Sequence, residues 1–267
     1  MKIFSLIERI KSDSRFCKKE RITLIDDFET FKTFIKLQAY KKFPLQRIIL
    51  VEKFKDKFEK EFANMEGVSK TKIDIVDEEK LRKVLKIDNP SICALINIKQ
   101  DFFDLENFFS GGRFCVVLDS IQNPWNMGGI FRTNSAFSIF DVIVLNNSVF
   151  PFSPRVIRAS KGFVFEQNIR VLNNVRDYLD EKCISLIFEN KKDSLDIRDK
   201  KIGEKIMNSN VMLVFGNEEY GVVSKEIFKN YISVKIVTKI DSLNVFSAHS
   251  IACFYLTNLI SSNDKPS

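Results

Sequence analysis

Short apolar runs rich in Val, Ile and Leu alternate with amphipathic stretches along almost the whole chain. In the first part, residues 22–25, 47–51, 72–76 and 92–98 read as strands, and 28–40, 54–62 and 78–85 as helices. Ser110-Gly111-Gly112 then breaks the pattern, which places a domain boundary there. The alternation resumes with strands at 114–119, 141–145, 184–188, 211–215 and 232–236. A last helix is predicted from about Ser247, with Ala248, Ile251, Ala252, Tyr255 and Leu259 forming one apolar face. The polar tail, 261–267, is expected to fray. Strands alternating with helices predict an α/β protein with largely parallel sheets.

Composition narrows the class. The chain has 267 residues, room for one large domain or two ordinary ones, and 45% of them are hydrophobic, which argues against disorder. The net charge is +7, and residues 1–50 hold twelve Lys/Arg against six Asp/Glu. That excess suits a polyanionic partner and serves equally as a solvated surface. The cysteines (Cys17, Cys93, Cys115, Cys183, Cys253) form no CxxC pair, and His249 is the single histidine. A Cys/His zinc site is therefore not expected, and reduced, buried thiols are. The apolar run at the N-terminus is too short for a signal peptide, and no stretch approaches the roughly 18 apolar residues of a membrane span. These readings point to a soluble, cytoplasmic protein.

Three loops carry candidate chemistry. After the strand at 114–119, Asn123-Pro124-Trp125-Asn126 is turn-like, and Asn126 suits a helix N-cap. Gly128 and Gly129 admit a close neighbour, and the planar fork of Arg132 suits a phosphate or ribose oxygen. Gly216-Asn217-Glu218-Glu219-Tyr220-Gly221 follows the strand at 211–215 and makes a tight loop exposing amides and a carboxylate. Asp241-Ser242-Leu243-Asn244-Val245 places two short polar side chains near a helix N-terminus, where a phosphate is readily held. Each loop also has an ordinary reading as a capped helix or a tight turn. Between them, Ser153-Pro154-Arg155-Val156-Ile157-Arg158-Ala159-Ser160-Lys161-Gly162 offers basic residues to RNA phosphates or to solvent. His249 is expected to be structural.

In this order, each after an apolar strand, the three motifs resemble those of the SpoU-type (TrmH-type) RNA 2′-O-ribose methyltransferases, a family of the knotted SPOUT superfamily. The resemblance covers residues 113–262. It implies a trefoil-knotted, parallel-sheet methyltransferase domain there. Residues 1–107 resemble, less specifically, the small α/β ribosomal-protein-like RNA-binding domain that often precedes it. S-adenosylmethionine is the implied methyl donor, and an RNA ribose 2′-hydroxyl the acceptor. Ribosomal RNA is favoured over transfer RNA because a separate recognition domain suits a folded element. The family match places Asn126, Arg132 and Glu218 at the catalytic centre and Gly216, Val234, Ile236 and Leu243 in the cofactor pocket. Ser242 and Asn244 fall to RNA, no metal is implied, and a homodimer is expected through the last helix and the first motif. Trp125, Asn217, Lys235, Thr238 and Phe246 depart from the family pattern. Trp125 would stack on a base or pack, and the last three raise the alternative of an RNA-binding relative that no longer holds the cofactor.

Overall fold

The computed structural model describes residues 3–98, 109, 112–145, 147–172, 183–228 and 230–263. Ser110 and Gly111 of the expected boundary, and residues 264–267 of the expected tail, lie outside them. In chain order the first elements are α1 (Ile3–Ser12), α2 (Ser14–Glu20), β1 (Ile22–Ile25), α3 (Phe28–Lys36), β2 (Leu45–Val51), α4 (Lys55–Phe62), α5 (Glu66–Ser69), β3 (Lys72–Val76), α6 (Glu78–Leu85) and β4 (Ile92–Asn97). Then come β5 (Phe114–Leu118), α7 (Pro124–Ala136), β6 (Asp141–Leu145), α8 (Pro154–Ala159), β7 (Asn168–Leu172) and β8 (Cys183–Phe188). The chain continues through β9 (Leu195–Asp196), α9 (Lys200–Ile206), β10 (Asn210–Phe215), β11 (Tyr231–Lys235) and α10 (Val245–Asn263). They form two compact units, Met1–Asp101 with Phe150–Glu166, and Phe102–Val149 with Gln167–Ser267.

The first unit holds a four-stranded sheet of order β1-β4-β2-β3. It is mixed: β4 runs antiparallel to both β1 and β2, and only β2 and β3 are parallel. The expectation of largely parallel sheets fails here. A helix between two strands can return the chain in either direction, so alternation alone does not set the sense of β4. Aspartates start the helices: Asp13, Asp27 and Asp77 accept amide hydrogen bonds at the N-termini of α2, α3 and α6. One buried cluster gathers Ile7, Ile10, Phe16, Leu24, Leu81 and Leu95. A second is built of phenylalanines, with Phe34 on Phe165 at 4.9 Å and Phe43 on Phe152 at 5.3 Å between ring centres. The excursion at 150–166 thus supplies core residues to this unit. Thr23 also donates to the Phe152 carbonyl at 2.6 Å, and Arg158 donates to Asp26 at 2.8 Å. Arg158 is therefore committed to an ion pair, while Arg155 and Lys161 stay exposed.

The second unit holds a seven-stranded sheet of order β7-β6-β5-β10-β8-β11-β9 in which every pairing is parallel. β5, β6 and β10 are buried along nearly their whole length, as strands covered on both faces must be. Chain order runs outward from β5 through β6 to β7 on one side, and the later strands fill the other. The reversal lies between β5 and β10, and loops leaving the carboxyl ends of such neighbours leave a crevice for a ligand. The first two motifs occupy those two loops.

α10 begins at Val245, and its buried side is Val245, His249, Ala252, Cys253, Leu256 and Ile260. The expected face is shifted: Ile251 is 41% exposed and Phe254, next to it on the outer side, is 62% exposed. Apolar residues surround much of this helix, so periodicity cannot tell the core side from the outer one. Among the described residues no helix is long and apolar enough to cross a membrane.

Candidate active site

α7 starts earlier than its glycines suggest. Asn123 is the N-cap, accepting from the Trp125 amide at 2.9 Å, and Pro124 takes the first helical position. Asn126 therefore lies inside the first turn and is not the cap. Its side chain is free to turn inward, and it is only 8% exposed. Its Nδ2 donates to Glu218 Oε1, and its Oδ1 accepts from Asn244 Nδ2 at 3.1 Å. One amide thus joins the three motifs, which lie 92 and 118 residues away along the chain. Donating to a carboxylate while accepting from an amide requires an asparagine or glutamine, since an aspartate would place a second negative charge against Glu218. Asn244 in turn caps α10, its Oδ1 accepting from the Phe246 amide at 2.9 Å.

The second loop folds on itself. Asn217 and Gly221 exchange two backbone hydrogen bonds of 2.9 Å each. A Cβ on Gly216 would overlap the Gly221 carbonyl and the Val222 nitrogen, so only glycine fits. Asn217, a departure from the family pattern, ties this turn to the first loop. Its Oδ1 accepts from the Glu219 amide at 2.8 Å and its Nδ2 donates to the Ser120 carbonyl at 3.1 Å. Fully buried Asp119 adds a second tie, accepting from the Ser224 amide at 2.8 Å. Neither anchor was apparent in the sequence, because their partners lie about a hundred residues away.

A cavity of about 490 Å³ opens beside these loops. It lies at the carboxyl ends of β8, β10 and β11, and its lining includes Gly216, Glu218, Val234, Ile236, Ser242 and Leu243. All four residues expected in the cofactor pocket thus meet there. Thr238 and Lys235, two of the departures, also line it. Phe246 does not: its ring packs against Gly129, where an added Cβ would come within 2.8 Å of the ring. The Phe246 ring thus lies against α7.

One wall of the cavity carries a polar cluster absent from the sequence expectations. Glu189 accepts from Ser233 Oγ at 2.6 Å, pairs with Lys225, and has Lys191 at 3.3 Å. Burial opposes its ionisation, but these donors outweigh it and hold the carboxyl below its ordinary range. The same burial lowers Lys225.

Two expected residues sit apart. Arg132 is exposed and makes no ion pair or hydrogen bond with the described residues. It is not drawn into the Asn126–Glu218–Asn244 cluster and stands free to meet a solvent-borne phosphate. His249 is fully buried, 2.9 Å from Asn134 Oδ1 and edge-on to Phe215. Burial pushes its pKa down from 6.5 to about 3, so it is neutral and structural. A histidine with a depressed folded pKa supports the fold above its unfolded pKa and loses that support as the pH falls. Stability should therefore fall between pH 6.5 and about 3 by roughly 1.4 kcal/mol per pH unit from this group. Urea unfolding across that window should show the slope in the parent and a flatter one in His249→Gln.

The sequence profile of the SpoU rRNA Methylase family matches residues 113–254. The chain belongs to that family. It is 35% identical over 147 residues to an uncharacterized tRNA/rRNA methyltransferase of Mycoplasma genitalium. That alignment takes in 54% of this chain and 60% of the relative, so the chain spans less than two thirds of that protein. A counterpart in Borreliella burgdorferi, also named as an uncharacterized tRNA/rRNA methyltransferase, is 29% identical over 73% of this chain and 91% of its own length. The fold matches the SpoU methyltransferase AviRb of Streptomyces viridochromogenes, solved with AdoMet, at a TM-score of 0.76 and 14% identity, covering 98% of this chain and 100% of that one. An AdoMet-bound rRNA methyltransferase of Sinorhizobium meliloti matches at 0.75 and 19% identity, covering 99% and 96%.

Proposed function

We propose that this SpoU-family protein transfers a methyl group from S-adenosylmethionine to a ribose 2′-hydroxyl of RNA, with ribosomal RNA as the favoured substrate. The observation that carries the reading is the Asn126 amide joining Glu218 and Asn244 at the edge of the cavity. The cavity suits the cofactor: its volume of about 490 Å³ lies in the range of small-molecule sites, and glycine, aliphatic and charged groups converge on it. Gly216, Val234, Ile236 and Leu243 would hold the cofactor and exclude water. S-adenosylmethionine, when bound, supplies a methyl already activated on a sulfonium. The protein's remaining task is to position the hydroxyl and ease loss of its proton.

Asn126 and Glu218 order the loops where the hydroxyl would enter. Arg132 would orient and stabilise the ribose and its phosphate through its planar guanidinium fork. Ser242 and Asn244 are both exposed, and Asn244 Nδ2 keeps a second N–H beyond the one given to Asn126, so both would contact RNA. The segments around the second and third motifs would form the trefoil knot. The first unit would recognise the RNA, aided by its basic N-terminal end. Exposed Ile251 and Phe254 on α10 suit a homodimer contact. Buried cysteine side chains fit a reducing cytoplasm.

Calorimetric titration with S-adenosylmethionine should show one site per chain. Incubation with unmodified ribosomal and transfer RNA pools, followed by nucleoside mass spectrometry, should show a 2′-O-methyl nucleoside in the ribosomal pool. A base-methylated product would overturn the ribose assignment, and absence of cofactor binding would favour a degenerate RNA-binding relative.

A further inference from the structure

Two of the departures from the family pattern meet on one surface. Trp125 and Arg132 are seven residues apart on α7, two turns along one face and about 10 Å in rise. Between them, four residues beyond Trp125, lies Gly129, which carries the Phe246 ring from the start of α10. The row therefore reads indole, phenyl, guanidinium. Trp125 is 61% exposed and Phe246 36%, and no described ring or cation stacks on the indole. Most of the indole is open to solvent, which sets it apart from an ordinary packing residue. Its backbone is held nonetheless, by the Asn123 cap and by the buried Asn126 beside it. The arrangement presents two aromatic faces in line with an unpaired cation, next to the proposed reaction centre.

We propose that Trp125 and Phe246 form a stacking row for unpaired bases adjoining the target nucleotide, with Arg132 at the end of the row meeting the target nucleotide's own phosphate. The inference rests on the RNA methyltransferase reading and deepens it: the substrate is single-stranded at the target, not a continuous duplex. A duplex keeps its base faces covered, whereas a loop or bulge can splay them onto aromatic side chains. Aromatic stacking tolerates any base, so the row selects for lack of pairing and not for sequence.

The chain has one tryptophan, so its emission reports on this row alone. The full-length protein is titrated with oligoadenylate, with poly(A)·poly(U) duplex and with heparin, while binding is followed separately by anisotropy of a labelled oligoadenylate. The expected result is quenching by oligoadenylate, with little change on binding duplex or heparin. Trp125→Ala and Phe246→Ser should each weaken oligoadenylate binding at least about fivefold and leave heparin binding unchanged. Oligoadenylate that binds without quenching, or equal quenching by heparin, would overturn the stacking row and leave the RNA reading intact. Failure of every polynucleotide to bind would overturn the RNA reading itself, and the row with it. Sedimentation of both variants guards against a dimer contact: a fall in mass on either substitution would assign the aromatics to a subunit interface and overturn the proposal.

Discussion

Gly216→Ala should abolish measurable S-adenosylmethionine binding. The added methyl would overlap the Gly221 carbonyl and the Val222 nitrogen, and backbone cannot rotate out of the way as a side chain can. The paired hydrogen bonds between Asn217 and Gly221 would have to open, and Glu218 would move with them. Overpacking of this kind costs roughly 1–3 kcal/mol, and its upper end corresponds to about a hundredfold in affinity. The same substitution at Gly203 is the control. There a Cβ meets only Leu259 Cδ2 at 3.4 Å, an ordinary contact, and alanine in the middle of α9 should stabilise slightly. Calorimetry and thermal melts on both variants separate the effects. Gly203→Ala should bind as the parent does. If Gly216→Ala bound within a few-fold of the parent, the turn would be adaptable and the glycine incidental to the pocket.

That glycine also shows what the sequence could convey. Its position after an apolar strand was legible, as were β5, β6, β8, β10 and β11, because strands buried on both faces read as uninterrupted apolar runs. The reason for the glycine was not legible. Gly216 was expected to make room for a cofactor, yet its nearest constraint is the chain's own backbone five residues on. β7 was missed because it opens Asn168-Ile169-Arg170, and a buried arginine in a strand defeats the apolar pattern. Arg170 lies there with its guanidinium on Asn168 at 2.7 Å. For α1 the helical spacing of Ile3, Ile7 and Ile10 was present, but the helix was not assigned. Family resemblance, not local chemistry, pointed to Asn126, whose partners Glu218 and Asn244 become neighbours only when β5 pairs with β10 and α10 packs on α7.

Arg132→Ala tests the catalytic assignment most directly. The side chain is exposed, unpaired among the described residues, and absent from the cavity lining, so its removal should disturb neither the fold nor cofactor affinity. Its proposed role is confined to the reacting ribose and its phosphate. Loss of one preorganised charged contact of that kind lowers the rate by about 10²–10³. Arg132→Lys should recover little, because a point charge cannot reproduce the two-pronged guanidinium contact. The decisive measurement is single-turnover methylation of the RNA pool that accepts methyl, with S-adenosylmethionine affinity measured on the same preparations. A large fall in rate at unchanged affinity supports the role. Near-normal turnover in either variant would make Arg132 a surface arginine. The transition-state contribution would then have to come from Asn126 and Glu218, the groups already hydrogen-bonded beside the cavity.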